Sequence, residues 1–251
     1  MNRRVRTLVI PSIAIVLGLL TAACGGGGKA AKGDARPVTS APPVTQAALD
    51  PNLNTVAQAK VSSVKVFADP SDTSKVTQTL ANPVESGAPL VFLVEKTQVD
   101  WLMVDLPVRP NGSTGWIKMG DVSLSTHDYR IVVELNAHKI TVLKGANVVL
   151  SEPVGVGRGQ APTPGGKFYI KELLQPPTPN TVYGPYAYGL SGFSDVFKTF
   201  AGGEGVIGIH GNNDPSSLGK DVSAGCIRMS NTGITTLAKM LPLGVPVEVR
   251  T

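Results

Sequence analysis

From about Thr55 onward the chain is a succession of short strand-forming runs cut by turn clusters, and this punctuation restricts it to a mainly β architecture. Val61, Val64 and Val66 open the series, and Ala68-Asp69-Pro70-Ser71 turns it. Val91-Phe-Leu-Val-Glu and Asp100-Trp-Leu-Met-Val-Asp-Leu follow; alternation in the second puts Trp101 and Met103 on one face, Leu102 and Val104 on the other. Pro110-Asn111-Gly112 is a strong turn signal before the strand that starts at Gly115-Trp116-Ile117. The pattern resumes after Tyr129 with Arg130-Ile-Val-Val-Glu-Leu, Lys139-Ile-Thr-Val-Leu-Lys and Val148-Val-Leu-Ser, separated by Asn136-Ala-His and Gly145-Ala-Asn in a meander of tight turns. Only one stretch reads convincingly as helix: Ser230 or Asn231 caps Thr232 to Met240, Ile234, Leu237 and Leu241 share a face, and Pro242 stops it. Val245-Pro-Val-Glu-Val supplies a last strand. His127 at the junction of the two strand-rich regions and His138 in a hairpin turn read as solvated turn residues.

What precedes the strands has another character. Arg3, Arg4 and Arg6 form a positive n-region, Thr7 to Leu20 is largely apolar, and Thr21-Ala22-Ala23 leads into Cys24. This is an export signal; a membrane span needs roughly 20 apolar residues, and Pro11 interrupts this shorter run. Leu20-Thr-Ala-Ala-Cys24 also resembles the bacterial lipobox, with Thr21 where leucine is usual, which implies a diacylglycerol-bearing Cys24 and a membrane lipid anchor, with plain secretion as the alternative. Gly25 to Asp50 is dense in Gly, Ala, Pro and Thr without apolar periodicity and reads as a flexible tether. The chain thus divides into a signal (1–23), a lipidation cysteine and linker (24–54), a small β unit (55–125) and a second β unit (126–251). Of the formal charge of +5, three belong to the signal arginines, and about +2 remains without them. No basic run with interleaved aromatics is left, so nucleic acid is excluded as a partner.

Chemistry concentrates near the C-terminus. Cys226 is the one cysteine besides Cys24, and His210 is one of three histidines, 16 positions upstream of it. A thiol and an imidazole suffice for acyl transfer through a thioester, because the imidazole takes the thiol proton and returns it to a leaving amine. The polar, glycine-bearing setting Ser223-Ala-Gly-Cys-Ile-Arg228 argues against a merely buried cysteine. Papain-like peptidases carry the cysteine far upstream of the histidine, the reverse of this order. A thiol and an imidazole without a third ligand make no zinc set, and no cofactor is implied.

Four segments carry a resemblance: Thr163-Pro-Gly-Gly-Lys-Phe168, the Tyr/Gly-rich Tyr183 to Phe193, Ile209-His210-Gly211, and Ser223-Ala-Gly-Cys-Ile-Arg-Met229. Together they resemble the YkuD-type L,D-transpeptidase family, from about residue 128 to the end, with Ala224 where many members have histidine. The resemblance implies a β-sandwich with one or two short helices. It also implies that Cys226 attacks the carbonyl between the third and fourth residues of a peptidoglycan tetrapeptide stem, with His210 as proton acceptor and donor. The Gly211 carbonyl would hold the other ring nitrogen, and the N–H groups of Gly225 and Cys226 would form the oxyanion hole. Arg228 would clamp a substrate carboxylate or brace the loop through an ion pair, and Ser223 would orient the loop or contact substrate. Tyr183, Tyr186 and Tyr188 would form a substrate lid, with Gly184 and Gly189 allowing it to move. Carbapenems are the covalent inhibitors expected of such a site. The preceding unit, ending in Arg109-Pro-Asn-Gly-Ser-Thr-Gly-Trp-Ile117, resembles the bacterial Src-homology-3-like barrels that accompany cell-wall enzymes, or is a β extension of the next unit without a binding role. The alternatives in function are an L,D-carboxypeptidase using the same site and a non-catalytic peptidoglycan-binding lipoprotein.

Overall fold

The computed structural model describes residues 49–200 and 202–251; the segment read as an export signal, Cys24 and most of the stretch read as a linker lie outside them. The first seven strands are β1 (Asn54–Ala59), β2 (Ser63–Phe67), β3 (Val76–Ala81), β4 (Val91–Gln98), β5 (Trp101–Asp105), β6 (Thr114–Lys118) and β7 (Val122–His127). They form one sheet in the order β3-β2-β6-β5-β4-β1-β7. As alternation requires, Leu102 and Val104 are fully buried while Trp101 and Met103 are half-buried on the opposite face. Val64, Phe92 and Ile117 complete this core from neighbouring strands.

The second unit comprises β8 (Tyr129–Glu134), β9 (Lys139–Lys144), β10 (Asn147–Pro153), β11 (Val156–Gly157), β12 (Gly166–Leu174), β13 (Ala187–Phe193), β14 (Val206–His210), β15 (Asp221–Ser223), β16 (Ile227–Arg228) and β17 (Pro246–Arg250). Eight of these run β10-β9-β8-β17-β12-β13-β14-β16 in one sheet, and β11 pairs with β15 in a short parallel ribbon. The sole α-helix among the described residues, α1 (Asn231–Met240), lays Ile234 and Leu237 into a core with Ile131, Ile140, Ile209 and Ile227. Ser230 is its cap: the hydroxyl accepts the Gly233 N–H at 2.9 Å, and Glu152 accepts both the Ser230 N–H and its hydroxyl. The architecture is mainly β, with sheets packed as a sandwich.

His127 at the junction is not a solvated turn residue, and His138 sits in its expected turn but is tied down there. His127 ends β7 with Nδ1 accepting the Tyr129 N–H at 3.2 Å, and its Nε2 is buried without a partner. His138 takes φ +47° in the turn between β8 and β9, but its Nε2 lies 2.8 Å from Asp221 Oδ1 on β15. The hairpin is thereby pinned to the segment that leads into Cys226.

The two units share a surface. Tyr169 of β12 is fully buried against Val56, Val91 and Leu93, and its hydroxyl donates to the Val91 carbonyl at 3.0 Å. Arg109 donates to the carbonyls of Ser194, Phe197 and Glu204, and Asn111 makes two 2.8 Å bonds to the backbone of Phe193.

Candidate active site

Strand periodicity places the reacting groups. In β14, Ile207 and Ile209 point into the core, so Gly208 and His210 face the other way. β16 runs parallel beside it, pairing Ile209 with Ile227 and His210 with Arg228. Cys226, just before β16, therefore emerges next to Gly208 on the face that carries His210.

His210 is 4% exposed, and its Nδ1 lies 2.6 Å from the carbonyl oxygen of Gly211. A carbonyl only accepts, so Nδ1 carries the proton and Nε2 of the neutral ring is the bare base. Burial pushes the imidazole down to about 4, reinforced by the charge of Arg228 and only partly opposed by the Gly211 carbonyl. Burial likewise pushes the half-buried Cys226 thiol up, while a hydrogen bond from the Gly208 backbone and the Arg228 charge pull it back in part. At neutral pH the pair rests as thiol and neutral imidazole.

The cysteine loop is built around Ser223, which is 2% exposed. Its hydroxyl donates to the Cys226 carbonyl at 2.6 Å and accepts the Gly225 N–H at 3.0 Å. Ser223 thus ties the loop together from within. In this structure the Gly225 N–H, expected to face a substrate oxygen, is engaged within the loop by its bond to Ser223, whereas the Cys226 N–H makes no bond within it. Gly225 is still required here, because its φ is +116° and a Cβ would come within 3.1 Å of Ile207 Cδ1.

Arg228 is held by paired backbone bonds to Gly155, at 2.8 and 2.9 Å, and does not line the cleft. Its Nε is buried without a partner, and no ion pair braces it among the described residues. Its charge is felt by both His210 and Cys226, disfavouring the protonated forms of each.

Cys226 and His210 open on a cavity of about 580 Å³. One wall comes from Val84, Glu85 and Ser86 in the link between β3 and β4; another comes from Gly202 to Gly205 ahead of β14. Tyr183 stands over the base with its ring edge-on to the imidazole, centroids 5.1 Å apart. It is the one expected lid tyrosine whose ring meets the reacting groups. Tyr186 packs half-buried against the core and does not line the cavity. Tyr188 is a core residue of β13: it is 1% exposed, and its hydroxyl donates to the Leu237 carbonyl at 2.8 Å. A Cβ on Gly184 would fall 2.7 Å from Gly211 Cα, and one on Gly189 would meet the Glu172 carboxylate, so both are points of close approach.

Several contributors were not apparent in the sequence. Buried Asn212 donates its side-chain amide to the Met229 carbonyl, and its N–H goes to Asn231 Oδ1 at 2.9 Å, stitching the strand ends that carry His210 and Cys226. In Gly211-Asn-Asn-Asp the asparagines look like ordinary turn residues, and no local signal separates Asn212 from Asn213. Among the described residues no three His, Cys, Asp or Glu side chains gather to hold a metal.

The second unit is similar in sequence to known proteins. Residues 128–249 match the sequence pattern of YkuD, the L,D-transpeptidase catalytic domain. A Bacillus licheniformis relative named as an L,D-transpeptidase, YkuD, is 36% identical over 124 residues, covering 49% of this chain and 67% of the relative. Its Bacillus subtilis namesake is 35% identical over the same coverage. Among solved structures, L,D-transpeptidase 3 from Mycobacterium tuberculosis in complex with a faropenem-derived adduct is similar at 14% identity and a TM-score of 0.43, covering 64% of this chain and 91% of that one. The chain belongs to the YkuD-type L,D-transpeptidase family, whose catalytic domain it carries over residues 128–249.

Proposed function

We propose that the protein cross-links peptidoglycan through an acyl-enzyme on Cys226. The observation that carries this reading is the opening of thiol and imidazole on one cleft, with His210 Nδ1 locked to the Gly211 carbonyl and Nε2 left as base. Cys226 Sγ attacks the carbonyl between the third and fourth residues of a tetrapeptide stem while His210 Nε2 takes the thiol proton. The tetrahedral oxyanion accepts the Cys226 N–H; the C–N bond then breaks, and His210 returns the proton to the departing amine. An acceptor amine attacks the thioester, loses its proton to His210, and releases the cross-linked peptide with the thiol restored. Tyr183, over the imidazole, shields the thioester from water in the interval.

The N-terminal sheet is, in this reading, the Src-homology-3-like companion of such enzymes, and the export signal with a lipidated Cys24 holds the protein on the outer side of a membrane. Incubating the protein with a disaccharide-tetrapeptide and weighing the products tests the chemistry. Cross-linked dimer with a released terminal amino acid is expected; tripeptide alone would make the enzyme a carboxypeptidase, and no turnover by folded protein would favour a binding role. A carbapenem should leave a covalent adduct on the wild type and none on Cys226→Ala; an adduct surviving that substitution would overturn the nucleophile assignment.

A further inference from the structure

The carbonyl that engages His210 belongs to the Gly211–Asn212 peptide, and a trans peptide is a rigid plane whose C=O and N–H point in opposite directions. The C=O faces His210 Nδ1 at 2.6 Å; the N–H, on the far edge of the same plane, donates to Asn231 Oδ1 at 2.9 Å. An N–H only donates, so the Asn231 amide is turned with its oxygen toward this strand end. Asn231 is the first residue of α1, and the helix cap is already supplied by the Ser230 hydroxyl, which accepts the Gly233 N–H. The Asn231 side chain is thereby left to reach the segment that follows β14.

The groups on either side of this plane are held too. The Met229 N–H donates to the His210 carbonyl at 2.8 Å, the Gly211 N–H to the Tyr186 carbonyl at 3.2 Å, and the Asn212 side-chain amide to the Met229 carbonyl. Asn231 Oδ1 comes so near that a Cβ on Gly211 would collide with it, as would one on Gly184. Glycine is what admits the amide to this spot, and glycine is also the residue that least resists rotation of its own peptide. Rotation of the Gly211–Asn212 plane would swing the carbonyl off Nδ1. The neutral ring could then carry its proton on Nε2, the nitrogen that must stay bare to act as a base. The bond to Asn231 opposes this, because it has to break before the plane can turn.

We propose that Asn231 is a positioning residue for the base: by accepting the Asn212 N–H it holds the peptide plane whose carbonyl keeps the His210 proton on Nδ1 and leaves Nε2 bare. The assignment rests on the reading of His210 as the base of a transfer reaction, yet its readout is the tautomer itself and needs no turnover. The chain has three histidines, so heteronuclear NMR of the isotopically labelled full chain resolves each ring, and His210→Gln identifies the His210 signals. At pH 7 the wild type should show His210 protonated on Nδ1. Asn231→Ala should move at least about a quarter of the rings to the Nε2–H form. It should also lower kcat on the tetrapeptide at least about fivefold while KM stays within about twofold. Asn231→Asp keeps an acceptor oxygen and suits the first turn of a helix, so it should hold the wild-type tautomer and stay within about twofold of the wild-type kcat. Asn231 is exposed and the Ser230 cap is untouched, so neither substitution threatens the fold. An unchanged tautomer in Asn231→Ala overturns the assignment, as does a fall in kcat that Asn231→Asp shares in full. The transfer reading is judged apart from it. A tautomer that responds to residue 231 in a protein that turns over no peptide keeps the positioning role and overturns the transfer reading; turnover with an indifferent tautomer does the reverse.

Discussion

At the scale of single residues, the site is governed by removing charge from the reacting pair. His210 lies beneath the surface with its Nδ1 proton committed to a carbonyl, and Cys226 keeps its proton because the space around it disfavours a thiolate. The imidazole leaves a stability signature. An unfolded histidine takes up a proton near 6.5, whereas His210 in the folded chain does so only at about 4. Between those values the unfolded state binds more protons, so acidification through that window destabilises the fold, and the full penalty is present below about pH 4. The linked loss is on the order of 3 kcal/mol. Denaturant titrations of the wild type and His210→Gln at pH 7 and pH 4 should show the wild type losing more stability by roughly that amount. Parallel pH dependence in the two proteins would remove the basis for a neutral resting imidazole.

At the scale of elements, the wall ahead of β14 is held from outside the catalytic sheet. Arg109 donates to three carbonyls spread over Ser194 to Glu204 and stacks on the Phe193 ring at 4.8 Å, a fork that a lysine cannot reproduce. Arg109→Ala should raise KM for the tetrapeptide several-fold, leave alkylation of Cys226 near the wild-type rate, and speed amide exchange in residues 194–205; Arg109→Lys should rescue little. A fall in kcat at constant KM would instead mean that the loop acts on the chemistry. Such elements also mark what was legible in the sequence. Strand runs with alternating burial, the Ser230-capped helix and the His210–Cys226 pair were all readable, because each depends on neighbours a few residues away or on the rarity of its residue types. The clamp was not, since Arg109 and Ser194 are 85 positions apart and nothing local to Arg-Pro-Asn-Gly distinguishes a clamp from a surface turn. Tyr188 misled for a related reason. Its company of glycines and tyrosines suggests a loop, whereas pairing with β14 makes it a strand residue whose ring fills the core under α1.

At the scale of the whole molecule, the two sheets behave as one body. Tyr169 places its ring and hydroxyl in the small core shared with Val56, Val91 and Leu93, and burial raises its ionisation well above that of an ordinary tyrosine. Removing the hydroxyl strands the Val91 carbonyl in a dry environment, which costs about 1–3 kcal/mol. Tyr169→Phe should therefore lower stability by about that much while a single cooperative transition persists by fluorescence and circular dichroism. Two resolved transitions, with only one shifted, would show that the sheets melt independently. The wall made by Val84 to Ser86 gives this union a wider meaning. Because the N-terminal sheet closes part of the pocket, it cannot be exchanged between relatives like an interchangeable accessory. Recombination at residue 128 would transplant the thiol and imidazole intact but graft a foreign side onto the cleft.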